Sequence, residues 1–464
     1  MAFQKELLMW KSKYSAKIAL EEMNGACKNY DELYEDMLTY ASWFQQQSQE
    51  RIALLGGTSY AWLCHAYGAL MAGKTVIVAD PLLPVLDILS LLSYTDVELV
   101  YTDEDDKKLR VGIEEAGIGY ELFTSLDEYQ PEEEFVQKKD GDIIFFTSGT
   151  SGKAKGVVLP FEAVYGNAQR LSESAAAGLD GKMYTPLPFY HIYATTMTLA
   201  FLHKGQTVCL GNPRHVLQEL DYFKPMIMVM VSAMAEFLLK NHAIGEWGKL
   251  FAVAGAKCDK SLEMNAAEYG IQVQNLYGAS ETAGGIGLSR MGQGIERMMA
   301  AKGVEVFVEP DGEIVIQTLG HMKEYYKNPE ATAQVMRDGK IYLGDVGEAY
   351  EDGTFAPLGR KQDVIAMKNG NKLYCDEMDE ELSAVTGVEE ACVIYFEGKV
   401  IAAIVCEDSY EEEVVRKNLK QYNKKQPYFR KLDEIWIRKE ALPRTRIGKL
   451  QRNNVMKEYS VKNS

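Results

Sequence analysis

Short apolar runs alternate with stretches of helical length between residues 50 and 320. The stretch 61–71 lies between two such runs and has the pattern of a helix. Continuous apolar runs separated by helix-length spacers are typical of strands buried in a largely parallel sheet. We therefore expect α/β units with strands at 51–55, 75–78, 143–146, 206–210, 226–231 and 250–253.

The pattern changes after residue 300, where short alternating strands and Asp-Gly turns predict hairpins. The strands are expected at 304–308, 313–316 and 354–355, and the turns at 311–312 and 352–353. The last hundred residues have an α+β pattern of their own, with strands at 391–396 and 400–406 and a helix at 410–422. Because 464 residues exceed one ordinary core, we expect a large α/β domain with a β-rich distal part and a small α+β domain.

Composition excludes several classes of protein. Apolar residues make up 47% and charged residues 25% of the chain, as in globular rather than disordered or fibrous proteins. The 50 basic and 67 acidic residues give a formal charge of −17, which disfavours nucleic-acid binding because a negative surface repels phosphate backbones. The seven cysteines have no CxxC spacing and favour neither a disulfide framework nor a zinc site.

The chain has no pattern of a secretory signal or a membrane span. Lysines at positions 5, 11, 13 and 17 interrupt the apolar stretches near the N-terminus. The longest apolar run, 225–239, contains Ser232 and Glu236 and is shorter than the roughly 20 residues that span a bilayer. We expect a cytoplasmic protein.

A segment rich in glycine and hydroxyl groups follows the predicted strand 143–146. Glycines let backbone N–H groups turn towards an anion, while hydroxyls and lysines add donors and charge. The pattern favours a phosphate-binding loop over an ordinary surface loop, which is the plain alternative for such a stretch. The segment contains Thr147, Ser148, Gly149, Thr150, Ser151, Gly152, Lys153 and Lys155.

This segment lacks the spacing of the phosphate loop of P-loop kinases and ATPases. That loop needs a Gly five residues before its Gly-Lys pair, where this chain has Thr147. It also needs a Ser or Thr after the Lys, where this chain has Ala154. Two fixed positions are therefore missing, and a different kind of nucleotide site is indicated.

Five segments resemble, in order and spacing, the motifs of the adenylate-forming superfamily of acyl-CoA synthetases, peptide-synthetase adenylation domains and luciferases. They are 147–156 (TSGTSGKAKG), 275–282 (NLYGASET), 342–345 (YLGD), 359–363 (GRKQD) and 442–452 (LPRTRIGKLQR). The resemblance runs from about residue 29 to residue 452 and is greatest to AMP-forming acyl-CoA synthetases. The chain departs from the family pattern at Ala154 and Lys257, which replace prolines, and at Leu343, which replaces a threonine.

The resemblance implies a hinge at Asp363. It separates an N-terminal domain, residues 1–362, which binds ATP and the acid, from a mobile C-terminal lid domain, residues 363–464. In this family the small domain rotates between two half-reactions. Lys449 would serve the first as the catalytic ammonium, since attack of a carboxylate on a phosphate concentrates negative charge. Gly370 would let a pantetheine arm pass in the second.

The remaining contacts to ATP are also implied by the resemblance. Tyr277 offers a flat face for adenine, Asn275 an amide for its amine, and Glu281 a carboxylate of the kind that Mg²⁺ prefers. The implied contacts are to phosphate from Thr147, Ser148, Gly149, Thr150, Ser151, Gly152, Lys155 and Ser280, to adenine from Gly255, Ala256, Asn275 and Tyr277, to ribose from Asp345 and Arg360, and to the metal from Glu281.

The acid is predicted from the segment that begins at His191. This histidine matches an aromatic or His position at the family's acyl pocket, where it could orient a carboxylate; a purely structural role is the alternative. The stretch 191–198 lacks the Asp that holds the ammonium of an amino acid, so we expect an aliphatic or aryl acid and a place in fatty acid metabolism. Small or apolar pocket candidates are Val231, Ala233, Met234, Gly284, Gly285 and Ile286.

The expected activity is a magnesium-dependent ligase reaction. A small carboxylic acid and ATP would give acyl-AMP and pyrophosphate, and CoA would then take the acyl group. Two alternatives stay open. The acceptor could be the phosphopantetheine of an acyl carrier protein, or the chain could bind nucleotide with little catalysis, as the departures at Ala154, Lys257 and Leu343 suggest.

Overall fold

A computed structural model describes residues 3–129, 135–148, 154–175, 178–255, 258, 260–366, 372–444 and 450–462. The chain divides into two compact units. The first comprises Met1–Ala254, Lys260–Glu305 and Ile316–Ile341, and the second Gly255–Asp259, Val306–Val315 and Tyr342–Ser464. The domain boundary between residues 362 and 363 stays a prediction.

The helices are α1 Phe3–Tyr14, α2 Tyr30–Gln46, α3 Tyr60–Met71, α4 Val85–Tyr94, α5 Lys107–Glu115, α6 Phe161–Ser172, α7 Ile192–His203, α8 Val216–Phe223, α9 Ser232–Lys240, α10 Lys260–Glu268, α11 Pro329–Val335, α12 Cys375–Ser383, α13 Glu412–Lys425 and α14 Arg452–Lys462. Short 3₁₀ turns lie at Ser280–Thr282, Lys361–Asp363 and Tyr428–Arg430. In the part of the chain that is described, no helix has the length and apolarity needed to cross a membrane.

The strands are β1 Ile18–Glu22, β2 Cys27–Asn29, β3 Arg51–Leu55, β4 Thr75–Val78, β5 Leu99–Thr102, β6 Gly119–Leu122, β7 Asp142–Ser148, β8 Ala154–Pro160, β9 Met183–Thr185, β10 Val208–Leu210, β11 Ile227–Met230, β12 Leu250–Val253, β13 Gln272–Ala279, β14 Gly284–Ser289, β15 Met298–Ala300, β16 Glu305–Val308, β17 Glu313–Gln317, β18 Glu324–Tyr325, β19 Met336–Arg337, β20 Lys340–Ala349, β21 Phe355–Arg360, β22 Val364–Ala366, β23 Lys372–Tyr374, β24 Val388–Phe396, β25 Lys399–Cys406 and β26 Glu434–Arg438.

One sheet of the first unit has the strand order β18-β8-β7-β4-β3-β5-β6. Strands β7, β4, β3, β5 and β6 are parallel, as the continuous apolar runs predicted. Helices α4 and α5 cover it by packing Ile88, Leu92 and Ile113 against Ile77 and Val100 of the sheet. Strand β8 turns back antiparallel to β7, and β18 adds antiparallel to β8.

A second sheet of the first unit is built around β13. From β1 through β10, β9, β11 and β12 to β13 the strands are parallel. The antiparallel strand β14 then pairs with β13, with a register shift between Tyr277 and Gly278. The prediction of an α/β fold with a largely parallel sheet is confirmed.

The second unit contains the predicted α+β pattern. Antiparallel β24 and β25, with β26 parallel to β25, form a three-stranded sheet. Its alternating side chains pack to opposite faces. Val393 lies with α12 and α13 on one face, while Ile394 lies with α14 on the other. The turn after β20 closes through a hydrogen bond from the backbone N–H of Tyr350 to the carbonyl oxygen of Thr354, 2.8 Å long, which confirms the hairpin predicted there.

Two predicted elements begin two residues later than expected. The strand expected from residue 206 begins at Val208, because the N–H of Gln206 donates to the carbonyl of Phe201 and closes the end of α7 instead. The helix expected from residue 410 begins at Glu412, because Glu411 has an extended backbone, with φ −71° and ψ 141°, and is the N-cap residue. In both cases the local backbone structure, and not the side-chain pattern, sets the first residue of the element.

Gly278 occupies the point of closest approach between β13 and β14. A Cβ placed on this residue would lie 2.1 Å from the carbonyl oxygen of Gly284, a backbone atom that cannot move without separating the strands. We predict that Gly278→Ala destabilises the fold by about 1–3 kcal/mol, the usual range for an overpacked site. A thermal or urea unfolding curve measures this effect.

Gly166 supplies the matched control for that substitution. It lies within α6, where an added Cβ meets only Nη1 of Arg170, at 3.9 Å. Alanine is favoured over glycine inside a helix by roughly 0.5–1 kcal/mol, so Gly166→Ala should leave stability unchanged or raise it. Equal melting temperatures for the two variants would contradict the proposed contact at Gly278.

Candidate active site

The predicted phosphate loop joins two antiparallel strands. Thr147 of β7 lies opposite Lys155 of β8, and both side chains are partly exposed. The predicted phosphate contacts Gly149, Thr150, Ser151 and Gly152 lie outside the described residues, as does the side chain of Ser148. A P-loop runs from a strand into a helix, whereas this segment runs from strand to strand. The geometry therefore adds a second reason against the P-loop alternative.

Lys155, Tyr325 and Glu281 meet beside this hairpin. Tyr325 is brought there because β18 pairs with β8, with Tyr325 opposite Val157. Nζ of Lys155 lies 4.9 Å from the centroid of the Tyr325 ring, a cation–π arrangement. The hydroxyl of Tyr325 donates a 2.5 Å hydrogen bond to Oε1 of Glu281. A cation, an aromatic ring and a carboxylate are thus linked in one row.

The turn that carries Glu281 is held by neighbouring helices. Ala283 follows it in the left-handed region, with φ +53°, a conformation that costs energy for a residue with a Cβ. Its carbonyl oxygen accepts hydrogen bonds from Nδ2 of Asn167 in α6 and Oγ1 of Thr196 in α7, both 3.0 Å long. These two side chains stabilise the strained turn and so determine where Glu281 points.

A single carboxylate at this place fits a magnesium ion. Mg²⁺ keeps several waters and is usually bound by one or two carboxylates together with phosphate oxygens of the substrate. Among the described residues, no group of three or more His, Cys, Asp or Glu side chains is arranged to hold a metal without the substrate. Glu281, next to the phosphate hairpin, suits such a shared ion, and Ser280 lies beside it with a partly exposed side chain.

Asn275 and Tyr277 lie on the same face of β13, two residues apart. Nδ2 of Asn275 donates to the carbonyl oxygen of Ile295 at 3.1 Å, which fixes the amide in a buried position. The amide oxygen is therefore the atom suited to accept a hydrogen bond from an adenine amine. Gly255 directly follows β12 with φ +89°, a conformation that favours glycine; Ala256 lies outside the described residues.

The two predicted ribose contacts lie opposite each other in the hairpin β20–β21. Asp345 and Arg360 are cross-strand partners. Nε of Arg360 lies 3.0 Å from Oδ1 of Asp345, and its Nη1 donates to the carbonyl oxygen of Leu343 at 2.8 Å. The carboxylate is nearly buried while the guanidinium is about one-third exposed. The pair is thus oriented before any nucleotide binds.

His191 is the N-cap residue of α7, and its ring packs on that of Tyr190 with centroids 4.7 Å apart. Burial lowers the pKa of His191, and the nearby charge of Asp80 opposes part of that shift. The imidazole is therefore neutral at physiological pH.

Gly284 is another of the residues proposed to line the acyl pocket. It leaves no room for a side chain, since a Cβ would lie 2.8 Å from Oγ1 of Thr196.

The predicted C-terminal site residues are only partly described. Lys449 and Gly370, the predicted catalytic ammonium and the predicted passage for the pantetheine arm, lie outside the described residues. Asp363 ends a 3₁₀ turn, and its Oδ1 lies 3.6 Å from Nε of Arg452. The predicted hinge residue is therefore next to a buried arginine.

Sequence reasoning missed Tyr325, Asn167 and Thr196. Tyr325 stands 44 residues after Glu281, and nothing in the local pattern links the two. Only the pairing of β18 with β8 could have revealed Tyr325, because a strand added to β8 places its residues beside the predicted phosphate hairpin. Asn167 and Thr196 lie in α6 and α7, for which no bounds were predicted, and only their complete burial in the structure indicates that each has a specific partner.

Comparison with known proteins places this geometry in a family. Residues 9–326 match the family described as AMP-binding enzyme, which is more than half of the chain. The chain is 25% identical over 453 residues to the long-chain-fatty-acid–CoA ligase FadD13 of Mycobacterium tuberculosis, covering 89% of this chain and 88% of the relative. It is 26% identical over 440 residues to the 2-succinylbenzoate–CoA ligase of Listeria monocytogenes, covering 89% and 90%.

Solved structures share the fold over nearly the whole length. O-succinylbenzoate coenzyme A synthetase of Bacillus subtilis, in complex with ATP and magnesium ion, superposes with a TM-score of 0.82 at 20% identity, covering 97% of this chain and 99% of that one. The anthranilate CoA ligase AuaEII, in complex with anthranoyl-AMP, gives 0.85 at 17% identity, covering 99% and 97%.

The fold and the site thus define a nucleotide-dependent α/β enzyme. The chain belongs to the AMP-binding enzyme family, and the resemblance to adenylate-forming enzymes inferred from its motifs is confirmed.

The Tyr325 hydroxyl can be tested separately from its ring. Tyr325→Phe removes the hydrogen bond to Glu281 but keeps the ring beside Lys155. A hydrogen bond to a charged group contributes about 1.5–3 kcal/mol. We therefore expect the binding of Mg-ATP, measured by calorimetry, to weaken by about tenfold or more.

Tyr326→Phe is the control for this prediction. The hydroxyl of Tyr326 donates to Oδ2 of Asp96 at 2.7 Å on an exposed part of the surface. Its loss should leave the affinity for Mg-ATP unchanged. An equal effect of the two substitutions would show that Glu281 does not depend on Tyr325.

Proposed function

We propose that this chain converts an aliphatic or aryl carboxylic acid into its CoA thioester through an acyl-adenylate. The class of enzyme is confirmed by the family and the relatives: an ATP-dependent acid–CoA ligase that uses ATP, Mg²⁺, CoA and a small carboxylic acid. The structural observation that best supports the proposal is the row of Lys155, Tyr325 and Glu281 beside the phosphate hairpin.

The reaction needs two displacements. In the first, a carboxylate oxygen attacks the α-phosphorus of ATP, the bond to the β-phosphate oxygen breaks, and pyrophosphate leaves. In the second, the CoA sulfur loses its proton and attacks the acyl carbon, and AMP leaves with the electrons of the C–O bond. Both products of the first step are anionic, so preorganised positive charge stabilises its transition state.

Each described side chain has a place in the first step. Lys155 and the backbone of the hairpin would face the phosphates, and Asp345 with Arg360 would orient the ribose. Glu281 would hold Mg²⁺, which neutralises charge on the polyphosphate when bound. We assign the transition-state ammonium to Lys449 on the resemblance alone, because its segment lies outside the described residues.

The residues proposed to line the acyl pocket favour an apolar acid as the substrate. The neutral imidazole of His191 places no charge there. Gly284, Gly285 and Ile286 are buried and small or apolar, and an ammonium would find no acid in the stretch 191–198. One relative is named for long-chain fatty acids and another for 2-succinylbenzoate, so the choice between an aliphatic and an aryl acid is left to experiment. Fatty acid metabolism and a cytoplasmic location stay predictions.

The role of Lys449 is tested by acid-dependent exchange of labelled pyrophosphate into ATP. Lys449→Ala should lower the exchange rate by roughly 100-fold or more, the usual effect of losing an electrostatic contact to a transition state. Lys457→Ala, at an exposed position of α14, is the control and should exchange at the wild-type rate. Wild-type exchange in Lys449→Ala would remove the central assignment.

The acid and the acceptor are tested together. Hydroxamate formation over short, medium, long and aryl acids should identify one apolar class, with amino acids inactive because their ammonium would be buried unpaired. For the best acid, thioester should form with free CoA alone. Turnover only with a phosphopantetheinylated carrier protein would favour the carrier as acceptor, and ATP binding without any hydroxamate would favour a non-catalytic homologue.

A further inference from the structure

The described residues that flank the segment 445–449, which contains Lys449, contact each other. Arg444 and Leu450 form an antiparallel bridge, and the N–H of Gln451 donates to the carbonyl oxygen of Pro443 at 2.8 Å. On the N-terminal side of the segment, Glu390 of β24 accepts hydrogen bonds from the N–H of Leu442 at 2.7 Å and from Nε of Arg444 at 2.9 Å. The residues that precede the segment are therefore attached to β24.

On the C-terminal side of the segment, Arg452 attaches the chain to α12 and β24. It is the first residue of α14, three positions after Lys449, and its side chain is 11% exposed. Nη2 contacts the carboxylates of Asp376 and Asp379 in α12, the latter at 2.8 Å, and Nη1 donates to the carbonyl oxygen of Val393 in β24 at 2.6 Å. The guanidinium thus holds the start of α14 against both α12 and β24.

The remaining N–H of this guanidinium faces the predicted hinge. Nε of Arg452 is buried and has no hydrogen-bond partner, yet it lies 3.6 Å from Oδ1 of Asp363. A buried donor without a partner is uncommon in folded proteins and is unfavourable. A small change of the backbone at the hinge would bring this carboxylate into hydrogen-bond distance or take it away.

The cluster depends on the arginine for its charge balance. Burial raises the pKa of Asp379 to about 6, while the positive charge of Arg452 opposes that rise. Asp363, Asp376 and Asp379 all lie within ion-pair distance of the one guanidinium. A planar guanidinium can serve several carboxylates at once, which the single ammonium of a lysine cannot do with the same geometry.

We propose that Arg452 is a positioning residue that couples the hinge at Asp363 to the segment carrying Lys449, so that the placement of Lys449 for adenylation depends on this guanidinium. The inference rests on the proposed function, because it concerns the first half-reaction. It assigns to Arg452 no contact with ATP or the acid.

The test separates the two half-reactions. In Arg452→Lys, pyrophosphate exchange should fall at least tenfold. Formation of thioester from supplied acyl-adenylate and CoA, which does not need Lys449, should stay within twofold of wild type. A merely structural defect would lower both rates together, and that result, or unchanged exchange, would overturn the proposal.

Arg438 is the matched control. It is also a buried arginine that holds α14, through a 2.6 Å bond from its Nη1 to Oε2 of Glu458. It is the last residue of β26, and its ion pair is with Glu458 and not with Asp363, Asp376 or Asp379. Arg438→Lys should keep both half-reactions within twofold of wild type. If Arg452→Lys fails to fold, Asp379→Asn keeps the arginine, removes one of its partners and is expected to give the same split between the half-reactions.

A double-mutant cycle tests the coupling itself. If Arg452 and Asp363 act together, the effects of Asp363→Asn and Arg452→Lys on the exchange rate should be less than additive. Additive effects would overturn the link to the hinge. Failure of the wild-type enzyme to exchange with any acid would instead overturn the proposed function, and this inference with it, so the two failures are told apart by the wild-type reaction.

Discussion

The hydrogen bond between Tyr325 and Glu281 is the contact on which the arrangement of the site depends. The phosphate hairpin belongs to one sheet and Glu281 to a turn that leaves another. Strand β18 adds to the hairpin strand β8, and its tyrosine reaches the carboxylate across the gap between the sheets. The N–H of Met322, just before β18, also donates to the carbonyl oxygen of Glu281 at 2.8 Å, so the backbone and the side chain of Glu281 are both held by this segment. A cation and a carboxylate fixed in this way could meet a shared polyphosphate in one defined geometry.

Several candidate site residues are held in place by contacts within their own unit. Asp345 and Arg360 pair across a hairpin, the amide of Asn275 is fixed by the carbonyl of Ile295, and the strained backbone at Ala283 is held by two side chains. The left-handed backbone at Ala283 costs some stability, whereas the other two contacts fix the direction of a polar group without such strain. This is the expected design for an enzyme that stabilises charge in its transition state, because dipoles that are already oriented need no reorganisation during the reaction.

Much of the fold could be predicted from the sequence, because the apolar runs of the parallel sheets are continuous and the Asp-Gly turns are local. The order of the motifs was also sufficient to find the family. Tyr325 and Arg452 were not found as partners of Glu281 and Asp363, since those contacts join positions far apart in the chain. The sequence shows that the 275–282 motif contains Gly278. The need for a glycine there is visible only in three dimensions, because a Cβ at Gly278 would lie 2.1 Å from the carbonyl oxygen of Gly284.

The central claim is that a carboxylate oxygen of the acid attacks the α-phosphorus of ATP. The most direct test uses an acid with both carboxylate oxygens labelled with ¹⁸O, turned over to thioester with CoA and analysed by mass spectrometry. One labelled oxygen should remain with phosphorus, so AMP should carry one ¹⁸O and pyrophosphate none. Label in inorganic phosphate, with ADP as the nucleotide product, would show attack at the γ-phosphorus and would contradict the account.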